Sequence, residues 1–164
     1  MKTYTGKTVD DAVSKACLDL GVTIDQLNYE VTLETKGLFS KKAEIACWTV
    51  EMVQEYIENL IRKILTDMQF EVETVSYVQD GRIYCNINTS NNSILIGKAG
   101  VILRAINLII KNAVSTTFKK RLEVSVDING YKEQRYQKIA AMAKRFGKKV
   151  QHSKINMKLD PLPA

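Results

Sequence analysis

The run Gly97-Lys98-Ala99-Gly100 has the composition of a loop that approaches a phosphate. Glycine has no Cβ, so two glycines three positions apart allow a tight turn and the close approach of another backbone. Lys98 adds a cation between them, and an apolar segment with helical spacing follows. Because free amide groups at a helix N-terminus favour negative charge, the pattern indicates a site for a sugar-phosphate chain. Two glycines at this spacing also occur in plain turns between helices, so the loop alone does not decide between these interpretations.

Hydrophobic periodicity predicts the elements that hold this loop. A short aliphatic element precedes it, and an apolar helix follows it. Asp80-Gly81 is a strong hairpin signal between two alternating segments. The predicted elements of this part of the chain are a helix (50–69), two strands (71–78 and 82–88), a short helix (94–96), a helix (101–117) and a strand (122–128).

The first 49 residues predict a separate small unit. A short strand at 2–4 is followed by a helix that begins after the N-cap Thr8 and ends at Gly21. Two further strands are predicted, at 29–34 and 43–48. Their order gives a β-α-β-β arrangement, in which the alternating apolar residues of the first of these two strands face a core. Those apolar residues are Tyr29, Val31 and Leu33.

After residue 128 the sequence predicts one long helix and one short strand. Gly130 ends the preceding strand, and a basic helix follows over residues 131–150. Ile155, Met157 and Leu159 then alternate with polar residues, which is typical of a strand. The whole chain is therefore predicted to be an α+β protein.

Charge is distributed unevenly along the chain. Between Lys98 and Lys158 there are 15 Lys and Arg residues and only three acids, whereas the rest of the chain holds 9 basic and 15 acidic residues. A surface that is charged for solubility alone mixes both signs. Segregation of this kind predicts a polyanionic partner for the second half of the chain.

The element order from residue 50 to residue 128, with the loop Gly97–Gly100 between two helices, resembles the type II KH domain of RNA-binding proteins. The resemblance implies a single-stranded RNA site centred on the loop. Arg104, Asn107 and Lys111 recur at helical spacing, so we expect them to line the adjacent groove. The predicted RNA-binding residues are Ile96, Gly97, Lys98, Ala99, Gly100, Arg104, Asn107 and Lys111. Secondary phosphate contacts are expected at Lys119, Lys120, Arg121, Lys144, Arg145, Lys148 and Lys149. Ordinary surface solvation is the better explanation for any single one of these, and it is their collective charge that favours a function.

Two flanking segments resemble the Jag family, also called KhpB. Before the KH domain the resemblance is carried by Lys7-Thr8-Val9-Asp10-Asp11-Ala12 and Lys36-Gly37-Leu38-Phe39. After it, the resemblance is carried by Asn129-Gly130-Tyr131-Lys132 and Lys158-Leu159-Asp160-Pro161-Leu162-Pro163. The family implies a Jag N-terminal domain (1–49), a KH domain (50–130) and the beginning of an R-three-H domain (131–164). That third domain is named for an Arg-x-x-x-His signature, which does not follow the segment Lys158–Pro163 here. We therefore expect the chain to be a truncated form of a longer protein.

The family also implies a role of RNA binding in cell elongation, division or sporulation. Leu38 and Phe39, on a predicted turn, are candidates either for contacting another protein or for packing on their own strands. The alternative to RNA binding is a scaffold, in which the KH fold contacts a second small KH protein or another copy of the chain. Salt-dependent binding to RNA would distinguish the two.

Other classes of function lack the residues that they need. With His152 as the only histidine and no patterned carboxylate pair, we expect no catalytic set, no metal site, no cofactor and no small-molecule substrate. The three cysteines form no CxxC pair, and we interpret them as small hydrophobic residues; they are Cys17, Cys47 and Cys85. No unbroken apolar run approaches the roughly 20 residues that span a bilayer, so we expect a cytoplasmic protein without membrane insertion.

Overall fold

The computed structural model describes residues 1–36, 41–156 and 158–159. It contains two three-stranded sheets and five α-helices in this part of the chain, which confirms the predicted α+β class and, up to residue 153, the predicted order of elements. The strands are β1 (Lys2–Gly6), β2 (Asn28–Lys36), β3 (Lys41–Trp48), β4 (Glu73–Gln79), β5 (Arg82–Asn88) and β6 (Val124–Ile128). The helices are α1 (Val9–Leu20), α2 (Val50–Asp67), α3 (Asn92–Ile96), α4 (Val101–Phe118) and α5 (Tyr131–Ser153).

The N-terminal unit is an antiparallel sheet of order β1-β3-β2 with α1 packed on one face. Thr8 caps α1 as predicted, because its hydroxyl accepts a hydrogen bond from the Asp11 N–H at 3.2 Å. Gly21, with φ of 65°, ends the helix in the left-handed region. Ala12 and Ala16 of α1 are fully buried against Ile45 of β3, so small side chains let the helix approach the sheet closely.

The expectation that Tyr29, Val31 and Leu33 face a core was wrong. Each of these side chains is 42–43% exposed. Tyr29 and Val31 are exposed because β2 lies at the edge of the sheet, while α1 packs mainly over β1 and β3. The register shifts between Val31 and Leu33, so Leu33 pairs with Glu44 and not with a residue of the buried face. A short 3-10 turn at Ile24–Gln26, which is not among the predicted elements, leads into β2.

The second sheet has the order β4-β5-β6, with β4 and β5 antiparallel and β5 and β6 parallel. Asp80 and Gly81 both have positive φ, at 51° and 72°, as the two central residues of a tight hairpin turn require. A parallel pair needs a long crossover connection. Here α3, the loop and α4 provide the crossover, so the predicted binding loop lies within it, between the two helices.

Helices α2 and α4 cover one face of this sheet and share its core with the buried residues of β5 and β6. An aromatic cluster lies at the end of α4. The ring of Phe118 packs against Trp48, with centroids 6.0 Å apart, and edge-on against Tyr56 at 5.4 Å. Because Trp48 is the last residue of β3, this cluster joins the two sheets.

The helix α5 extends three residues beyond its predicted end and carries no fully buried residue. A strand at 155–159 was expected but was not found. Residues 154–156 and 158–159 form no strand, and Met157 lies outside the described residues. Ile155 is 66% exposed and Leu159 45% exposed. A lone alternating segment cannot form a ladder without a neighbouring strand to pair with.

By length and composition, one helical stretch of the described residues, Asn92–Phe118, is apolar enough to cross a membrane. Lys98, Arg104 and Lys111 interrupt its apolar residues, so no unbroken apolar run marks it in the sequence. The loop breaks the stretch between α3 and α4, and Leu103, Ile110 and Val114 are buried in the core. Core helices of soluble proteins pass the same test, so this finding is weak evidence for a membrane span.

Candidate nucleic-acid interface

The loop Gly97–Gly100 has a backbone that only its two glycines accommodate at low cost. Gly97 has φ 71° and ψ 177°, a region that is essentially restricted to glycine. A Cβ at this position would lie 2.7 Å from Cγ1 of Ile102. Gly100 has φ 78° and donates its N–H to the Gly97 carbonyl at 3.1 Å. The loop is therefore a tight, hydrogen-bonded turn, with the side chains of Lys98 and Ala99 exposed at its tip.

Two arginines converge on the tip of the loop. The Ala99 carbonyl accepts one hydrogen bond from Nη1 of Arg104 on α4 and another from Nη1 of Arg135 on α5, both at 2.9 Å. With Lys98, three cationic side chains thus surround one exposed turn. Arg104 was among the predicted site residues, whereas Arg135 was not.

A cleft of about 360 Å³ extends from the loop between α4 and α5. Its surface is mostly apolar. Among the described residues that line it, three carry a positive charge and none carries a negative one. The lining residues are Gly100, Leu103, Arg104, Asn107, Tyr131, Lys132, Arg135, Tyr136 and Ile139.

Only two residues of the predicted groove line this cleft beyond the loop, namely Arg104 and Asn107. Lys111 is exposed further along α4, and Ile96 is half-buried against the core and does not line the cleft. Sequence reasoning missed the wall that α5 contributes. The sequence does contain an indication of this wall. Aromatic and basic residues are adjacent at the start of α5, first at Tyr131-Lys132 and again at Arg135-Tyr136, and such pairs are typical of surfaces that bind single strands.

Asn107 joins α4 to the free edge of β6. Its side-chain nitrogen donates to the Val126 carbonyl at 2.8 Å, and its side-chain oxygen accepts from the Val126 N–H at 2.8 Å. The same nitrogen donates to the Leu103 carbonyl at 3.1 Å. The amide is thus already engaged by backbone groups, which favours a structural role over the predicted contact with bases.

We expect Asn107→Ala to lower the free energy of unfolding by about 1–3 kcal/mol, because it leaves both polar groups of Val126 unpaired in a partly buried position. Urea denaturation followed by circular dichroism measures the change. Asn112→Ala is the matched control, since Asn112 is exposed on the same helix and its loss should change stability by no more than about 0.5 kcal/mol. Equal effects of the two substitutions would contradict the structural role.

The predicted secondary phosphate contacts divide into two groups. Lys119 forms an ion pair with Glu30 at 3.0 Å, and Lys120 donates to Oδ1 of Asn28 at 2.8 Å. These two lysines therefore connect the second unit to β2 of the first. The remaining predicted contacts are exposed, one after α4 and four along α5, and they are Arg121, Lys144, Arg145, Lys148 and Lys149. Leu38 and Phe39 lie outside the described residues.

The cysteines show the environment expected of small hydrophobic residues. Cys47 and Cys85 are buried, and burial raises the pKa of the Cys85 thiol to about 12, which disfavours the reactive thiolate. Across residues 1–36, 41–156 and 158–159, no three His, Cys, Asp or Glu side chains come together as metal ligands.

Comparison with known proteins identifies relatives along the whole chain. A family model described as the Jag N-terminus matches residues 4–47. An RNA-binding protein KhpB of Clostridium symbiosum is 29% identical over 168 residues, an alignment that covers 99% of this chain and 76% of the relative. A protein of the same name from Bacillus subtilis (strain 168) is 25% identical over 175 residues, covering 99% of this chain and 80% of the relative. With the predicted order of elements and the glycine loop in place, these matches confirm the predicted resemblance of the chain to the Jag/KhpB family.

Proposed function

We propose that this protein is a non-enzymatic, single-stranded RNA-binding protein whose site is centred on the loop Gly97–Gly100. The observation that carries the proposal is the convergence of Lys98, Arg104 and Arg135 on an exposed turn with two glycines. Such a turn lets a sugar-phosphate backbone approach the chain, and the three cations favour its charge. The relatives from Clostridium symbiosum and Bacillus subtilis are RNA-binding proteins by name, which supports the same function.

The distribution of charge supports RNA as the partner of the second unit. The basic excess between residues 98 and 158 includes the cations at the loop and the exposed Lys and Arg side chains of α5. In this proposal residues 50–130 are the KH domain, and α5 extends its phosphate track. Residues 1–49 form the N-terminal domain, whose acidic residues disfavour contact with RNA.

A binding titration of the full chain tests this proposal. We expect a single-stranded oligouridine labelled with a fluorophore to bind more tightly than a duplex RNA of the same length. The narrow turn contacts one sugar-phosphate backbone, and only a single strand has unpaired bases that the protein can reach. Fluorescence anisotropy gives both affinities. A preference for the duplex, or the absence of binding to either RNA at low salt, would contradict the proposal.

One observation favours a scaffold as the second candidate function. The outer side of α4 exposes a row of large apolar residues, and the row continues at Ile94 of α3. A surface of this kind is typical of a protein contact, here with another copy of the chain or a second KH unit. Sedimentation of the full chain over a range of concentrations tests self-association. The exposed residues of the row on α4 are Val101, Ile102, Leu108 and Ile109.

The resemblance to the Jag/KhpB family suggests the cellular setting. We propose that the protein acts in the cytoplasm and that its RNA binding contributes to cell elongation, division or sporulation. Contact with another protein through Leu38 and Phe39 is part of the same proposal.

A further inference from the structure

The helix α5 is fixed to the binding loop by two contacts. Arg135 donates to the Ala99 carbonyl, and the ring of Tyr131 lies directly over Gly100. A Cβ at Gly100 would lie 3.1 Å from Cε1 and 3.3 Å from the hydroxyl oxygen of Tyr131. The second glycine of the loop therefore serves two purposes, since it adopts a positive φ and makes room for the aromatic ring.

In the cleft that this packing creates, the charged and the apolar residues lie in different parts. The three cations Lys98, Arg104 and Arg135 are grouped at the loop, where α4 begins. Beyond them, Leu103 and Ile139 contribute apolar surface. Lys132, which also lines the cleft, donates its ammonium to the Ser125 hydroxyl at 2.7 Å and so directs its charge towards β6.

The geometry points to a nucleobase site in the cleft between α4 and α5, with Tyr136 and Tyr131 as the aromatic wall and the adjoining phosphate at Arg104 and Arg135. Tyr136 is 70% exposed, although a ring of this size in a purely structural role is usually buried. A base needs such a flat apolar partner, and its phosphate needs neighbouring cations. The volume of about 360 Å³ lies within the range of sites for small ligands. This inference rests on the proposed function and adds α5 to the site.

The test compares two ligands and three variants in the full chain. The ligands are an oligouridine and a ribose-phosphate chain of equal length without bases. Tyr136→Ala removes the ring, and Tyr136→Phe keeps the ring but removes the hydroxyl. Tyr29→Ala is the matched control, because Tyr29 is also exposed (43%) but lies on β2, in the first sheet.

We expect Tyr136→Ala to lower the affinity for oligouridine by about five- to hundredfold, the range for loss of a stacked aromatic residue. Its affinity for the chain without bases should stay unchanged. Tyr136→Phe and Tyr29→Ala should bind both ligands like the unaltered protein. Circular dichroism should show no change for any variant, since Tyr136 contributes little to the core.

Three results would overturn the inference. One is an unchanged affinity of Tyr136→Ala for oligouridine, and another is an equal loss for both ligands. The third is tighter binding by Tyr136→Ala, which would mean that α5 covers the site instead of completing it. In all three cases the protein still binds RNA, so the proposed function stands. Failure of the unaltered protein to bind either ligand would overturn the inference together with the proposed function.

Discussion

Replacing Lys98 and Ala99 together by Asp should reduce RNA affinity by about ten- to hundredfold and leave the fold intact. The substitution removes one charge-assisted contact, worth about 1.5–3 kcal/mol, and presents two carboxylates to the phosphate. Both side chains are exposed. Ala99 has φ 54° and ψ 24°, a left-handed conformation that Asp adopts more readily than most residues. Fluorescence anisotropy measures the loss, and circular dichroism checks the fold.

The control for this variant must change the net charge equally at a distant place. Lys7→Asp combined with Ser14→Asp does so, because both side chains are exposed in the N-terminal unit. A carboxylate at position 7 is also tolerated electrostatically before the N-terminus of α1. We expect this control to retain most of the affinity. If both double variants lose affinity equally, net charge and not the loop governs binding.

Phe118→Ala should lower the free energy of unfolding by about 3–5 kcal/mol, the largest stability effect that we expect for a single substitution here. The side chain is 1% exposed and contacts both Trp48 and Tyr56. A loss of this size is a large fraction of the roughly 5–15 kcal/mol that stabilises a typical domain. Because Trp48 is the single tryptophan, its fluorescence during urea denaturation reports directly on this cluster.

The matched control for the aromatic cluster is Leu108→Ala. Leu108 lies on the same helix and is 60% exposed, so its truncation should change stability by no more than about 0.5 kcal/mol. If Phe118→Ala and Leu108→Ala have similar effects, the aromatic cluster does not contribute the stability assigned to it.

The elements of the fold follow from short-range patterns in the sequence, and so does the loop. Thr8 and Gly21 delimit α1, and Asp80-Gly81 sets the hairpin, because capping and turn formation depend on neighbouring residues only. The alternation of β2 was visible too. Its position at the sheet edge was not, because strand order is a tertiary property that periodicity within one segment does not encode.

The second wall of the candidate site depends on contacts between distant residues. Arg135 meets Ala99 across 36 positions in the chain, and nothing in the spacing of α5 tells which of its faces will meet the loop. The hydrogen bonds of Asn107 could not be predicted from the sequence for the same reason. Asn107 lies beside the cleft, but its hydrogen bonds to Val126 depend on where β6 pairs in the sheet.

The salt dependence of oligouridine binding by the full chain tests the central proposal most directly. Each phosphate that a protein neutralises on a single strand contributes about −0.7 to the slope of log affinity against log salt. With Lys98, Arg104 and Arg135 at the loop, we expect a slope of about −2 or steeper. Affinity should then fall by roughly 20-fold between 50 and 200 mM salt. A slope near zero, or no measurable binding at 50 mM salt, would contradict an RNA-binding site built on the loop Gly97–Gly100.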